Sequence, residues 1–318
     1  MTLTTSDESQ IDSEAARSQT EKTLDQSFLW VTRILAVAVA ALLLWIAVQV
    51  AINSIPAIRE FGLQFLFKSA WNPVEELYGV LPMIYGTLLS SLIALLLAVP
   101  IGLASAIILS ENFLPLSIRT ILTFLLELLA AIPSIVYGLW GIYVLIPFLK
   151  PIGNWLHDNF AYIPLFSTRY IGPGMLPAGV ILSIMILPII TVISRDSLAS
   201  LPSELRWGSY GVGSTRWQTI FSILIPAAFS GIVGGIMLAL GRALGETMAV
   251  TLVIGNSNNL NFSLLAPANT IASLLANQFG EASGLQRASL FYAGLILFVI
   301  TLIVNMLAEV VVRRVKKF

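Results

Sequence analysis

The sequence predicts an all-α polytopic membrane protein with six transmembrane helices, and three observations carry that expectation. The chain of 318 residues is 57% hydrophobic and only 11% charged, whereas a soluble domain is about 25% charged. Uninterrupted apolar runs long enough to span a bilayer recur along it. The connections between those runs are too short to hold a separate soluble catalytic domain. A formal net charge of zero argues against nucleic acid as a partner. With no cysteine and a single histidine, His157, neither a thiolate nucleophile nor a Cys- or His-pair metal site is available. His157 lies beside Asp158 in a connection and reads as an exposed residue. No cofactor is expected.

Taken in order, residues 1–27 hold six acidic residues against Arg17 and Lys22 and little to bury, which predicts a disordered acidic tail. The tail is not a signal peptide, because a basic start is missing and the following run is span-length. The first span occupies 28–52. Its core, Ile34–Ile52, has only Gln49 polar, and Trp30 and Arg33 mark its near boundary. A mixed linker, 53–82, carries Arg59, Lys68 and the Glu75–Glu76 pair. The second span, Gly86–Leu109, contains Pro100 and is expected to kink. After a short turn, Ser110–Thr120, a third span is expected over Ile121–Leu149 with Glu127 and Pro133 inside it. Lys150–Gly172 reads as a loop, and Gly174–Ser194 as a fourth span interrupted by Pro188. A polar connection within 195–230 precedes a fifth span at about Gly231–Gly255. A nearly neutral loop, Gly255–Gln286, leads to the sixth span, Ala288–Val312, and residues 313–318 form a basic end. Glu309 is expected to pair with Arg313 at that boundary. Residues 83–312 thus form a five-helix core.

Six spans place both termini on one side of the membrane. That side carries eleven lysines and arginines, against Arg59, Lys68, Lys150, Arg169 and the border residue Arg287 on the other. The positive-inside rule then puts both termini and the 195–230 connection in the cytoplasm.

Three charged residues fall within expected spans, away from their boundaries. Arg242 and Glu246 are four apart, hence roughly 40° apart around a helix and on one face, with Ala239 and Ala249 flanking them. A charge at mid-membrane costs about 2.5–3.5 kcal/mol on insertion scales, so such groups pair or face water. The functional reading is a polar pathway for an anion, with Arg242 attracting it and Glu246 keeping the binding weak enough for release. The bland reading is an intrahelical ion pair. Glu127 shares its face with Ala130, Ala131, Ser134 and Gly138, and either faces the same pathway or balances Arg242. Gly234, Gly241 and Gly245 form a small-residue stripe that reads as a helix-packing surface.

The segment Leu201–Pro226 needs its own account. It is polar at first, then keeps helical apolar spacing through Trp217, Ile220, Phe221 and Leu224. A short helix is expected around Ser203–Tyr210, held by Gly211 and Gly213. One reading is a docking surface for a partner protein, built on Ser203, Glu204, Trp207, Gly208, Ser209, Gly211, Gly213 and Pro226. Another is an interfacial amphipathic helix with Trp207 and Trp217 at the headgroups of membrane lipid.

Here the pattern resembles the cytoplasmic signature of ABC-importer permeases, Glu-Ala-Ala, three residues, Gly, nine residues, Ile-x-Leu-Pro. Gly213 is followed after nine residues by Ile223, Leu224, Ile225 and Pro226. Trp207, Gly208 and Ser209 occupy the Glu-Ala-Ala positions, so the usual glutamate is absent. GRALGETMAVTLVIGN (Gly241–Asn256) and ELLAAIPSIVYGLWG (Glu127–Gly141) are similar to the phosphate-specific branch of those permeases. The likeness covers about Met83 to Val312. It implies the type I ABC-importer permease fold and a non-catalytic subunit. Its partners would be a second, related permease, an ATPase subunit dimer docked on the cytoplasmic loops, and an external phosphate-binding protein. The chain has no G-x-x-x-x-G-K-[ST] of its own, so ATP-driven transport needs a separate ATPase. The competing class, a self-sufficient secondary anion transporter or channel, would favour inverted repeats, and none is visible. H-E-x-x-H and G-x-S-x-G are absent too, which speaks against an intramembrane enzyme.

Overall fold

A computed structural model describes residues 19–111 and 113–315. Residues 1–18 of the expected acidic tail and 316–318 of the basic end lie outside them, as does the side chain of Arg313. Among the described residues, six helices are long and apolar enough to cross a membrane. The chain divides into two units, one ending at Ile52 and one beginning at Asn53.

The first unit is the greater part of α1 (Gln19–Phe61). Helix therefore begins well inside the stretch expected to be disordered, and 19–27 continue the span. QTEKTLDQ contains no Gly or Pro, so a helix nucleated in the apolar run propagates into it at little cost. Side chains from Leu24 to Ile46 are exposed all round. A helix apolar on every face suits lipid or another membrane helix, not water.

The second unit is a bundle built on α2 (Leu81–Ser110) and α5 (Met175–Ala199), its most extensive helix pair. Both helices run through their prolines, Pro100 and Pro188. The core between them holds Ala94, Ala98, Ile181, Met185 and Ile186. Close approach requires Gly179, because a Cβ there would meet the side chain of Ile93.

Where Pro133 stands, by contrast, the expected third span is broken. α3 (Leu116–Ala131) stops at Ile132, which is extended at φ −63° and ψ 127°, and the membrane-length helix α4 is Ser134–Phe160. A residue before proline is pushed out of the helical region, and Pro133 has no N–H for the carbonyl of Leu129 four residues back. The hydroxyl of Tyr137 donates to that carbonyl instead, at 2.6 Å. Tyr137 is buried, so the break is held in place. Replacing Tyr137 with phenylalanine is expected to destabilise the fold by about 1–3 kcal/mol, the cost of an orphaned buried acceptor. A lowered unfolding midpoint in detergent checks this.

α4 continues through a wider turn at Gly141–Leu145 to Phe160, so the first part of the expected loop Lys150–Gly172 is helical. Beyond it Tyr170 is buried, and burial pushes its phenol up to about 12. It stays neutral and donates to the Ile146 carbonyl at 3.4 Å.

After α5 come the short α6 (Ser203–Gly211) and then α7 (Arg216–Gly245). The expected fifth span, Gly231–Gly255, is thus displaced towards the N-terminus. α7 opens on a reciprocal cap. Thr215 Oγ1 accepts from the Gln218 N–H, and Gln218 Oε1 accepts from the Thr215 N–H at 2.8 Å. A π-helical turn at Ile220–Leu224 stands just before Pro226. There the Ile225 N–H reaches back to the Ile220 carbonyl, and the helix tolerates the missing proline donor.

α7 ends at Gly245, Glu246 is extended at ψ 126°, and α8 (Met248–Val253) follows. The expected neutral loop contains a further helix, α9 (Ile271–Gln278), and α10 (Gly284–Val315) closes the described chain. A separate aromatic cluster lies by α9 and α10, with Phe65 stacked on Tyr292 at 4.6 Å between ring centres.

Candidate functional site

Two regions of the bundle carry the residues singled out in the sequence. The first surrounds Arg242. Because α7 ends at Gly245, Arg242 and Glu246 do not share one helical face, contrary to the expectation. Arg242 sits in the last turn of α7, exposed, with no hydrogen bond or ion pair among the described residues. A cation near a helix C-terminus is favoured by the helix dipole. Glu246 instead accepts the Ala249 N–H at 3.2 Å. Its carboxylate therefore caps the first turn of α8, a placement the dipole favours. Ala239 and Ala249 are fully buried, so the room beside Arg242 is not theirs.

Arg242 lines an open cavity of about 620 Å³ together with Ile189, Gly234, Met237, Gly241 and Asn305. It is also within electrostatic reach of Tyr137, which places it near the Pro133 break. Asn305, a lone amide among the apolar residues of α10, went unremarked in the sequence. Its polarity in a span was the signal that could have found it.

Among the described residues, Gly234, Gly241 and Gly245 make no close helix contact, since a Cβ on any of them would meet nothing within 4 Å. Close packing of α7 on α5 is made by Gly231 and Gly235, whose added Cβ atoms would strike Ser197 and Ile193. The stripe is real, but α7 is rotated so that it faces outward.

Glu127 does not line the cavity of Arg242. It is exposed on α3, outside the six membrane-length helices, and lines a second cavity of ≈ 510 Å³ with Arg119, Thr123, Arg195 and Asp196. Arg195 pairs with Asp196 at 2.7 Å and donates to Thr123 Oγ1 at 3.2 Å.

The second region is the connection Leu201–Pro226. The short helix expected there is α6, almost residue for residue. It ends in a Schellman arrangement: the Gly213 N–H bonds the Tyr210 carbonyl at 3.0 Å, and the Ser214 N–H bonds the Ser209 carbonyl at 3.1 Å. Gly213 has φ +86°, in the left-handed region where a Cβ is penalised. Ser209 is the buried residue of α6 and meets Thr219 at 2.8 Å. Thr219 donates its own proton to the Thr215 carbonyl, so Ser209 is the donor between them. Glu204 lies in the first turn of α6, where its charge suits the dipole.

The outward surface of α6 is formed by Trp207, 71% exposed, with Gly208 and Gly211, beside which a Cβ would meet nothing. The apolar spacing of the following run divides in two. Ile220 and Leu224 are buried with Ile107, Leu198 and Ile232. Trp217 and Phe221 are exposed and stacked, and Trp217 approaches Phe113. Arg216 lies over the Phe113 ring at 3.6 Å.

Sequence reasoning missed Glu111 and Arg206. They form an ion pair at 2.8 Å, with Glu111 buried and Arg206 partly so, across a separation of 95 residues that no local pattern reveals.

Residues 98–317 match the family of binding-protein-dependent transport system inner membrane components. The chain belongs to this family. Within it, the chain is 45% identical over 297 residues to the phosphate transport system permease protein PstC of Mesorhizobium japonicum, covering 92% of this chain and 90% of that one. It is 42% identical over 295 residues to PstC of Pasteurella multocida, covering 91% and 92%. Among solved structures, the fold is similar to a chain of a bacterial alginate ABC transporter crystallised with a periplasmic protein bound to an alginate pentasaccharide. The TM-score is 0.62 at 16% identity, over 94% of this chain and 99% of that one. A chain of the MetNI methionine ABC transporter gives 0.52 at 17% identity, over 74% and 94%. The chain is therefore a multi-pass inner-membrane permease subunit with the ABC-importer permease fold, and works in a complex with other subunits.

Proposed function

We propose that this permease is the membrane-spanning subunit of an ATP-driven importer of inorganic phosphate. The observation that carries this reading is the 41–45% identity to PstC proteins over about nine-tenths of both chains. In this reading the chain forms the translocation pathway with a second, related permease and receives its solute from an external phosphate-binding protein. Both termini and α6 are cytoplasmic, as the lysine and arginine bias favours. The exposed face of α6, with Trp207 at its centre, docks on an ATPase subunit dimer.

The geometry supports a pathway role for Arg242 in particular. It is an always-charged group in an open cavity, with no ion-pair partner among the described residues. The bare stripe of Gly234 and Gly241 borders the same cavity, where a helix of the second permease can approach closely and complete the wall. Glu246 supports the pathway indirectly, by holding the break between α7 and α8 next to Arg242. Glu127 has a separate setting, and its role is with the Arg119–Arg195 cavity.

Reconstitution tests the proposal. Proteoliposomes holding the two permeases and the ATPase, with binding protein outside, are expected to take up phosphate only when ATP is inside. Uptake by this chain alone, driven by an ion gradient without ATP, would establish the self-sufficient transporter instead.

A further inference from the structure

Arg206 points inward from α6, and its guanidinium reaches three separate parts of the chain. Nε donates to Glu111 Oε1 at 3.2 Å and Nη2 donates to the same oxygen at 2.8 Å. Nη2 also donates to the Leu198 carbonyl at 3.0 Å, and Nη1 to the Leu201 carbonyl at 3.2 Å. Glu111 follows directly on the C-terminus of α2, Leu198 is in the last turn of α5, and Leu201 begins the link to α6. The two side chains are 19% and 6% exposed, so this is not a solvated surface pair of negligible effect.

A buried ion pair is weak evidence for stability, because apolar residues of like volume often serve as well. This corner already has an apolar cluster, Ile107, Leu198, Ile220 and Leu224. What the guanidinium adds is direction. Its planar fork holds several acceptors in one fixed geometry, which an apolar contact cannot do. α6 needs such a tie, since it buries only Ser209. The Ser209–Thr219 bond joins it to α7. Only Arg206 bonds it to the ends of α2 and α5 among the side-chain hydrogen bonds of the described residues.

We propose that the Glu111–Arg206 pair is the strut that makes α6 and the ends of α2 and α5 move as one body. Glu111 and Arg206 are then positioning residues for coupling, touching neither the solute nor the ATPase. The inference rests on the reading above that α6 docks on an ATPase. A push delivered to Trp207 from outside is passed through Arg206 into the two helices at the centre of the bundle.

The test uses the whole reconstituted complex with Glu111→Gln, Arg206→Ala and Arg206→Lys in this chain. Phosphate uptake and ATP hydrolysis are measured in the same vesicles. Spin labels are placed at Ala199→Cys and Val212→Cys, with cysteine-free partners, because this chain has no native cysteine. In the parent chain the interlabel distance is expected to be narrow and unchanged by ATP. In Glu111→Gln and Arg206→Ala the ATPase stays bound and hydrolyses ATP, the distribution broadens, and phosphate carried per ATP falls about tenfold, within the range that breaking a coupling network produces. Arg206→Lys keeps the charge but lacks the fork, and is expected to remain uncoupled.

A parent-like distance and uptake-to-hydrolysis ratio in Glu111→Gln and Arg206→Ala would overturn the strut, as would full coupling in Arg206→Lys. Loss of assembly in Glu111→Gln and Arg206→Ala alike would reduce the pair to a fold contact and overturn it too. If the parent chain itself failed to hold an ATPase, the docking reading would fall first, and that result is distinguishable from the others.

Discussion

Arg242→Ala is expected to lower the initial rate of phosphate uptake about a hundredfold while the complex assembles normally. Two unit charges 4 Å apart attract by about 4 kcal/mol at an effective dielectric of 20. Discounting this by about a third for the exposure of Arg242 leaves roughly two powers of ten in rate. Assembly should survive, because Arg242 makes no hydrogen bond or ion pair among the described residues that its loss would orphan. Arg242→Lys should recover part of the rate, since the charge remains and the planar fork does not. Uptake at the parent rate in Arg242→Ala, measured in proteoliposomes with the ATPase present, would remove this residue from the pathway.

Glu246 sharpens the same experiment. Its carboxylate caps α8, so Glu246→Ala removes both a charge and an acceptor, whereas Glu246→Gln keeps an acceptor. If Glu246 acts through the helix break, Glu246→Gln should transport better than Glu246→Ala.

Gly213→Trp is expected to abolish solute-stimulated ATP hydrolysis. At φ +86° a side chain costs about 1–2 kcal/mol, although the space around Gly213 is open. The strain acts on the C-terminal cap of α6, where the Gly213 and Ser214 N–H groups bond the last carbonyls. Relaxing it would turn α6 and with it Trp207. Gly213→Asn is the informative companion, because asparagine tolerates the left-handed region better than other residues with a side chain. Hydrolysis should largely return there. Equal loss in both variants would point to a steric clash with the partner instead of a cap.

The parts of this protein that a local pattern controls were legible before any coordinates. Apolar run length and composition put six membrane-length helices in the chain. Gly213 and the polar residues before it indicated a short helix at Ser203–Tyr210, close to the α6 that forms. Caps and turns depend on neighbours a few residues away, and the linear order displays them. The breaks were harder to see. Pro100, Pro133 and Pro188 look alike in sequence, yet only Pro133 ends a helix, where Tyr137 supplies the donor that the Leu129 carbonyl lacks.

The facing of each side chain depended on how helices pack. The composition of α7 displayed a glycine stripe. Which glycines touch α5 followed from the rotation of one helix against another, and the outcome was Gly231 and Gly235 in place of Gly234 and Gly241. The Arg206–Glu111 pair shows the same division. Its two residues are ordinary surface types in separate polar segments, and only the folding of α2 against α5 brings them to 2.8 Å and shields them from solvent. Sequence alone determined that this chain lives in a membrane and how many membrane-length helices it has, because transfer from water depends on composition. The tertiary structure decided which charges meet and which stand alone, because electrostatic partners are set by distance in space.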